Sequence, residues 1–543
     1  MQIPLQFDLF QFLKRESPNE LKRLFWLAIF VGLLNTALVG LVNIVAKKVE
    51  VNDDVTLHFF VFALILIIFL LITKRANKES ITSTQDLLYK FRLRILKDVF
   101  TSTLTRVDSV GRGYILEVLI KDIQVVSQAM SAVVNLLQSL ATLVFLNLYM
   151  ATVSFTAFII IFSSSLAIIF IGSKELFKVT NQMGVLALRE HAVTALYADF
   201  LNGYKEVKMN SRRAYDLTLN IMTDSRVVNE LKSGFLIAIT NFFNYLQVLL
   251  YVVVGVMIFV VPILASGFAD QVTTAATTAL FLAGSLTGII TSVPSLSTAN
   301  VSARALFELS NKLETSTEQT PKPKESFDDI KSLSMLNVSF SHESGQNVKH
   351  FFFGPVTYTF DINKVYFIRG NNGSGKTTLM RLLLGLYEPM TGQILVNDRP
   401  IQQPSKGEFR DLFGVVFSDF YLFKKLYGIH SSTEEEIDHL LEVFQMKEKV
   451  SVIDGSFSDV NLSTGQRKRL ALIVALLENR QFIILDEWAA DQDPEFRQEF
   501  YEHIIPRLRE MGKTVIAITH DDHYYHLADH VLFMENGKLI STT

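Results

Sequence analysis

Apolar positions are distributed very differently along the two parts of this chain. Leu24–Ala46 is a 23-residue stretch without Asp, Glu, Lys or Arg, and Val55–Thr73 is a second, of 19 residues, interrupted only by the polar His58. Ile123–Ser173 runs for 51 uncharged residues, Ser233–Ala269 for 37 and Gln271–Ala303 for 33. A helix needs roughly 20 apolar residues to cross a bilayer core. Fifty-one residues of helix would reach about 75 Å at about 1.5 Å per residue, so that run is expected to cross twice. The turn is expected near 146–155, "LNLYMATVSF". The count becomes six spans, at about 24–46, 55–73, 125–147, 151–173, 234–264 and 272–297, within a helical domain over 1–310.

Charge orients these spans. The segment 74–122 carries ten basic residues, among them Lys74, Arg75, Lys90, Arg92 and Arg94, and 174–232 is similarly long and charged. The remaining connections, 47–54, the turn near 150 and about 265–272, are short. Lys/Arg-rich loops stay cytoplasmic, so both chain ends are expected inside. "DLLYKFRLRILKDVF" repeats apolar residues at helical spacing, which predicts helices that continue beyond the membrane. Asn35, Asn43, Asn241, Asn244, Gln247 and Thr287 are polar positions inside the spans. They either line an inward path or bond neighbouring helices.

From residue 311 the pattern changes. "NKLETSTEQTPKPKESFDD", 311–329, reads as a linker. Beyond it, short strand-like runs alternate with helical ones: "SMLNVSF", "KVYFIRG", "QILVN", "LFGVVFS", "FIILDE", "TVIAITH" and "HVLFMENG". This predicts an α/β domain over 330–543. Composition agrees with a membrane-embedded chain: 49% of the 543 residues are hydrophobic, with 43 Phe. The net charge of −3 gives no general attraction to nucleic acid. The absence of cysteine excludes disulfides, thiolate metal sites and a cysteine nucleophile.

The chemistry sits in the α/β part. Gly370-x-x-x-x-Gly375-Lys376-Thr377 follows a strand-like run and opens a helix. Glycines let backbone N–H groups close around an anion, the helix N-terminus favours negative charge, the lysine reaches phosphate oxygens and the threonine hydroxyl suits Mg²⁺. "FIILDE" delivers Asp486 and Glu487 at the end of an apolar strand. One acid on the metal and one on an attacking water is a sensible division for phosphoryl transfer. Alone, the pair would read as a strand meeting a loop; the motif at 370–377 upstream turns the reading toward chemistry. Between the two motifs, "NLSTGQRKRLALIVALL" places Ser463, Thr464 and Gly465 at the start of an amphipathic helix.

Together these motifs resemble the nucleotide-binding domain of ATP-binding-cassette (ABC) transporters over 330–543. With six spans ahead of it, the chain looks like an exporter half-transporter. The fold implied is a multidomain membrane protein, a six-helix all-α transmembrane domain followed by an α/β P-loop domain. The resemblance implies that Gly370, Asn371, Asn372, Gly373, Ser374, Gly375, Lys376, Thr377 and Thr378 hold ATP. It gives Glu487 and His520 catalytic roles, and Thr377 and Asp486 the Mg²⁺. Leu462-Ser463-Thr464-Gly465-Gln466 matches the signature motif that presses on the γ-phosphate in the other copy, with Thr464 where glycine is usual. "DQD", 491–493, occupies the D-loop position. Two positions depart from the family. Ser418 and Asp419 stand where a glutamine normally couples Mg²⁺ to the membrane domain, so Asp419 or a water is expected there. His342 stands where an aromatic ring stacks on adenine, with Phe340 or Phe351 able to contribute.

"LSTGQRKRLAL", "LDEWAADQDPEFR" and "VFSDFYLF" further resemble the cyclic-peptide and peptide-siderophore exporters of bacterial inner membranes. This implies a homodimeric, ATP-driven exporter of peptide-like cargo in the inner membrane, with room for periplasmic or outer-membrane partners. An exporter of lipid or hydrophobic drugs and a nucleotide-gated sensor or conduit that transports nothing remain the alternatives.

Overall fold

The computed structural model describes residues 8–16, 18–260, 272–313, 330–341, 351–401, 406–429 and 432–542. Contacts divide the chain into two compact units, 1–96 with 110–312, and 97–109 with 313–543.

The first unit is helical. Pro18–Glu50, Thr56–Thr101, Arg112–Val153 and Val272–Leu313 are, among the described residues, four helices long and apolar enough to cross a membrane; Phe155–Ala167 is a shorter apolar stretch. The 51-residue uncharged run breaks at Ser154, whose extended backbone (φ −154°) ends one helix and whose hydroxyl accepts the Ala157 N–H to begin Phe155–Asn202. The expected turn at 265–272 lies outside the described residues up to 271. Phe155–Asn202 continues into the charged segment without interruption, and Ser211–Gly255 returns from it.

Close approach and polar bonds hold these helices together. A Cβ on Gly32 would lie 2.7 Å from Ala141 Cβ and from the Thr142 backbone nitrogen, so helix Pro18–Glu50 presses directly on its neighbour. Small residues permit such approaches where lipid supplies no hydrophobic drive. Asn43 is buried and bonds Tyr149 Oη at 3.3 Å, Thr278 Oγ1 at 3.4 Å and the hydroxyl of Thr277. Asn43 is thus a helix-to-helix tie. Asn135 donates toward the Gly288 carbonyl at 3.5 Å in the same way. Gln247 and Thr287 instead line a cavity of about 320 Å³ with Phe243, Tyr251 and Gly284.

The second unit is built on a six-stranded sheet. Its strands are β3 (Val365–Gly370), β6 (Phe413–Val416), β9 (Phe482–Asp486), β10 (Thr514–Ile518), β11 (His530–Glu535) and β12 (Lys538–Thr542), in the order β12-β11-β3-β10-β9-β6. All pairs except β11–β12 are parallel. Side chains alternate between two apolar layers. Phe367, Leu485 and Ala517 face the layer holding Leu470 and Ile473 of helix Thr464–Leu477. Ile368, Ile484 and Ile516 face the layer of helix Lys376–Leu383. That second layer is closed by a four-stranded antiparallel sheet of β1 (Ser332–Ser341), β2 (Phe352–Asp361), β4 (Thr391–Val396) and β5 (Arg399–Pro400). A parallel sheet buried on both faces requires continuous apolar strands, and the central strands β3, β10 and β9 have runs of four apolar residues. A short hairpin, β7 (Val452–Ile453) with β8 (Ser456–Phe457), completes the strands.

Residues 97–109 belong to this unit as well. Ser102 Oγ donates to the Leu313 carbonyl at 3.1 Å, and Leu104, opening helix Leu104–Val110, packs on the P-loop layer. The linker expected at 311–329 begins as the end of helix Val272–Leu313, and its remainder lies outside the described residues.

Candidate active site

The site forms where parallel strands end. β10 lies between β3 and β9, with Ile518 opposite Ile368 on one side and opposite Asp486 on the other. The loop after β3 and the acids after β9 therefore emerge at one edge of the sheet. Loops at the carboxyl ends of parallel strands are where such folds bind ligands.

The loop 370–375 is shaped as an anion cradle. Gly370, Gly373 and Gly375 have φ of +156°, +77° and +105°. A Cβ on Gly370 would sit 2.3 Å from the Met534 carbonyl oxygen, so side chains are excluded there. Gly375 opens helix Lys376–Leu383. Asn371, Asn372, Gly373 and Thr377 are exposed, while Ser374, Lys376 and Thr378 are buried. The Lys376 ammonium donates to the carbonyls of Gly370 at 2.8 Å and Asn371 at 3.3 Å. The Ser374 hydroxyl is buried without a hydrogen-bond partner. An orphaned donor, a buried ammonium and a helix N-terminus at one loop fit a polyphosphate.

Across β10 stand the acids. Asp486 is 2% exposed and accepts from Ser418 Oγ at 2.9 Å. Burial pushes its carboxyl above the ordinary range, the Ser418 bond opposes this, and the Glu487 charge adds to it. A buried carboxyl group at the sheet edge that also bears the loop 370–375 suits a hard divalent cation. Glu487 follows in the left-handed region, φ 49° and ψ 38°. Its N–H donates to the Ile518 carbonyl at 3.0 Å, and its Oε1 lies 3.4 Å from His520 Nε2. The strand pairing thus brings Asp486, Glu487 and His520 together.

Ser463 caps helix Thr464–Leu477: its hydroxyl accepts the Gln466 N–H, and Gln466 Oε1 accepts the Ser463 N–H. Ser463 and Thr464 are exposed. A Cβ on Gly465 would meet the Asp491 carbonyl oxygen at 2.6 Å, and Gln492 Nε2 donates to the Gly465 carbonyl at 3.1 Å. The segment 491–493 is therefore packed against the base of this helix. Arg469 extends the junction, donating to Gln492 Oε1 at 2.9 Å and to Asp493 Oδ2.

Of the two departures from the family pattern, the structure describes the one at Ser418 and Asp419. Ser418, not the exposed Asp419, carries the bond to Asp486; the hydroxyl is short enough to sit directly on the carboxylate. Phe340 is committed to the core, stacked on Tyr387 at 4.9 Å. Phe351 borders the cradle, its ring 2.9 Å from where a Gly375 Cβ would stand. His342 lies outside the described residues. Lys468, Arg469 and Trp488 join the site unforeseen. They fall within the stretches 462–472 and 485–497, but sequence gives them no role, because those roles come from packing between segments distant in sequence.

Known proteins share this chain's sequence and fold. The model of the family described as ABC transporter matches residues 353–490. The energy-coupling factor transporter ATP-binding protein EcfA1 of Streptococcus agalactiae serotype Ia is 32% identical over 228 residues, 39% of this chain and 78% of that protein. This chain belongs to the ABC transporter family. Its particular form is the exporter half-transporter, one helical membrane region and one ATP-hydrolysing cassette in a single polypeptide. ATP-binding protein SyrD of Pseudomonas syringae pv. syringae is 28% identical over 561 residues, 97% of each chain. The solved structure of a bacterial Atm1-family ABC exporter with ATP bound superimposes with a TM-score of 0.76 over 96% of this chain and 95% of that one, at 16% identity.

Proposed function

We propose that this protein is a homodimeric exporter that moves a cyclic peptide, lipopeptide or peptide siderophore out through the bacterial inner membrane. The observation that carries the reading is the cluster of Glu487 and His520, 3.4 Å apart, at the sheet edge that also bears the loop 370–375. A protein that only sensed nucleotide would have no need of that pair.

In this reading the nine residues from Gly370 to Thr378 hold the triphosphate, with Lys376 leaving its loop carbonyls for the phosphate oxygens. Thr377, Asp486 and, through Asp486, Ser418 would hold Mg²⁺, which neutralises charge on the phosphates. Glu487 accepts a proton from the attacking water, and His520 orients the glutamate toward the γ-phosphate. Ser463 and Thr464, exposed on a capped helix N-terminus, complete the site of a second copy together with Gly465 and Gln466. A γ-phosphate gripped by both copies favours the closed dimer, the differential affinity a ligand needs to shift a conformational equilibrium. Twelve spans, six per chain, then turn their cavity outward, and hydrolysis resets them. The cassette and both termini lie in the cytoplasm.

The cargo class rests on the stretches 416–423, 462–472 and 485–497 and their resemblance to peptide exporters. ATPase stimulation by a cyclic peptide, compared with a lipid and a hydrophobic drug, tests it. Stimulation by the lipid or the drug alone would overturn the peptide assignment. Glu487→Gln tests the mechanism. It is expected to bind ATP, lose turnover by at least about 100-fold, the scale of a lost general base, and accumulate as a closed dimer.

A further inference from the structure

Lys468 is a charged side chain buried beside the glutamate, with only 3% of it exposed. Its ammonium donates to the Glu487 backbone carbonyl at 2.7 Å and to Asp491 Oδ2 at 2.7 Å. Trp488 returns the connection, its indole N–H donating to the Lys468 carbonyl at 2.8 Å while its ring lies 4.3 Å from that of Phe500. Glu487 occupies left-handed backbone that residues with a side chain rarely adopt. Such a conformation persists only where its surroundings over-determine it. Here they do. The N–H of Glu487 is held by Ile518 and its carbonyl by Lys468, so both flanking peptide planes are pinned.

We propose that Lys468 is a positioning residue for catalysis, holding the Glu487 backbone in the turn from which its carboxylate reaches the attacking water. The inference rests on the reading of Glu487 as the base. Asp491 anchors the other side of the ammonium and keeps it over the carbonyl. A structural ion pair alone accounts poorly for the arrangement. Asp491 is 45% exposed, and a pair with one partner in water gains little against the cost of burying the other. The carbonyl of Glu487 is what requires a donor at this point. Because Lys468 lies on the helix that Ser463 caps, it also ties the turn at Glu487 to that helix. In a homodimer the two would serve different nucleotides, so one side chain would connect both sites.

Lys468→Met tests this. Methionine has similar length, removes the buried charge and leaves Asp491 facing solvent. The expected result is a kcat about tenfold lower, about 1.4 kcal/mol in barrier, with KM for ATP within about twofold of wild type. The same substitution is then made in the Glu487→Gln protein, with residual hydrolysis followed as released labelled phosphate. No further loss is expected there, because a residue acting through the carboxylate has nothing left to position. Wild-type kcat in Lys468→Met overturns the inference, and so does an equal loss in both backgrounds. If Lys468→Met does not fold, Asp491→Ala decides. A kcat about threefold lower at unchanged KM supports positioning, and wild-type kcat refutes it. Wild-type turnover in Glu487→Gln would remove the underlying reading; an inactive Glu487→Gln beside a fully active Lys468→Met removes this inference alone.

Discussion

Gly465 is a place where one added methyl group separates folding from function. Its missing Cβ leaves room for the Asp491 carbonyl, which would stand 2.6 Å away, and backbone cannot retreat as a flexible side chain can. Gly465→Ala should push segment 491–493 off the helix base, at about 1–3 kcal/mol of stability. ATP binding should survive and turnover should fall, measured by nucleotide titration and phosphate release on the same preparation. Asp493 makes a pH-dependent contribution. The Phe496 N–H that its carboxylate caps, aided by nearby Arg469, holds its carboxyl below the ordinary range. The folded state therefore prefers the ionised form. Its stabilisation is fully present above the unfolded value of about 3.9 and fades as pH falls through the lower folded one. Asp493→Ala should cost about 1 kcal/mol at neutral pH, and the gap from wild type should close as pH drops below about 4, read from thermal unfolding across a pH series. Neither residue stands out in the sequence as Gly370 or Lys376 does. The loop 370–375 is legible because its cradle is built from consecutive residues. The surroundings of Gly465 are not, because they depend on what another segment presses against it.

At the scale of elements, legibility follows burial. Strands β3, β9 and β10 can be read directly because both faces are covered and each holds an unbroken apolar run of four residues, 365–368, 482–485 and 515–518. Strand β2 cannot: Gly354 and Pro355 interrupt its pattern, and only its pairing with β1 makes it a strand. The helices illustrate a different limit. Hydropathy marks the stretch 55–73, yet the helix runs from Thr56 to Thr101, because nothing in the charged continuation stops it. Lipid contact and helix length are separate properties, and apolar runs report only the first. Helix contacts are equally silent in sequence, and Gly32 tests one. Gly32→Leu would drive a side chain into Ala141 and the backbone at Thr142. Overpacking of this kind costs about 1–3 kcal/mol. The variant should melt earlier in detergent and lose cargo-stimulated ATPase, while ATP still binds at the loop 370–375. Weakened ATP binding, measured by the same titration, would show that the disturbance reaches the cassette.

For the whole molecule, the decisive matter is which copy supplies which half of a nucleotide site. Each chain has one cradle, at 370–375, and one capped helix N-terminus bearing exposed Ser463 and Thr464. In the proposed dimer each ATP lies between the cradle of one copy and Ser463 of the other. Two defects can then be placed in separate chains. Lys376→Ala should abolish phosphate binding at its own cradle, and Ser463→Arg should block the partner's site by filling the cap with a long side chain. Each variant alone has no intact site and should be inactive. When the two are co-expressed, about half of randomly assembled dimers are mixed. In a mixed dimer, one site combines both defects and the other combines two sound halves. Hydrolysis should therefore reappear, at up to about a quarter of the wild-type rate per chain if single sites turn over independently. If each chain instead used its own cradle with its own Ser463, every site in every mixture would carry one defect and no activity would return. Purifying dimers through different tags on the two chains and measuring phosphate release distinguishes these outcomes. Recovery in the doubly tagged fraction requires nucleotide sites shared between copies, and a silent fraction of intact mixed dimers would refute them.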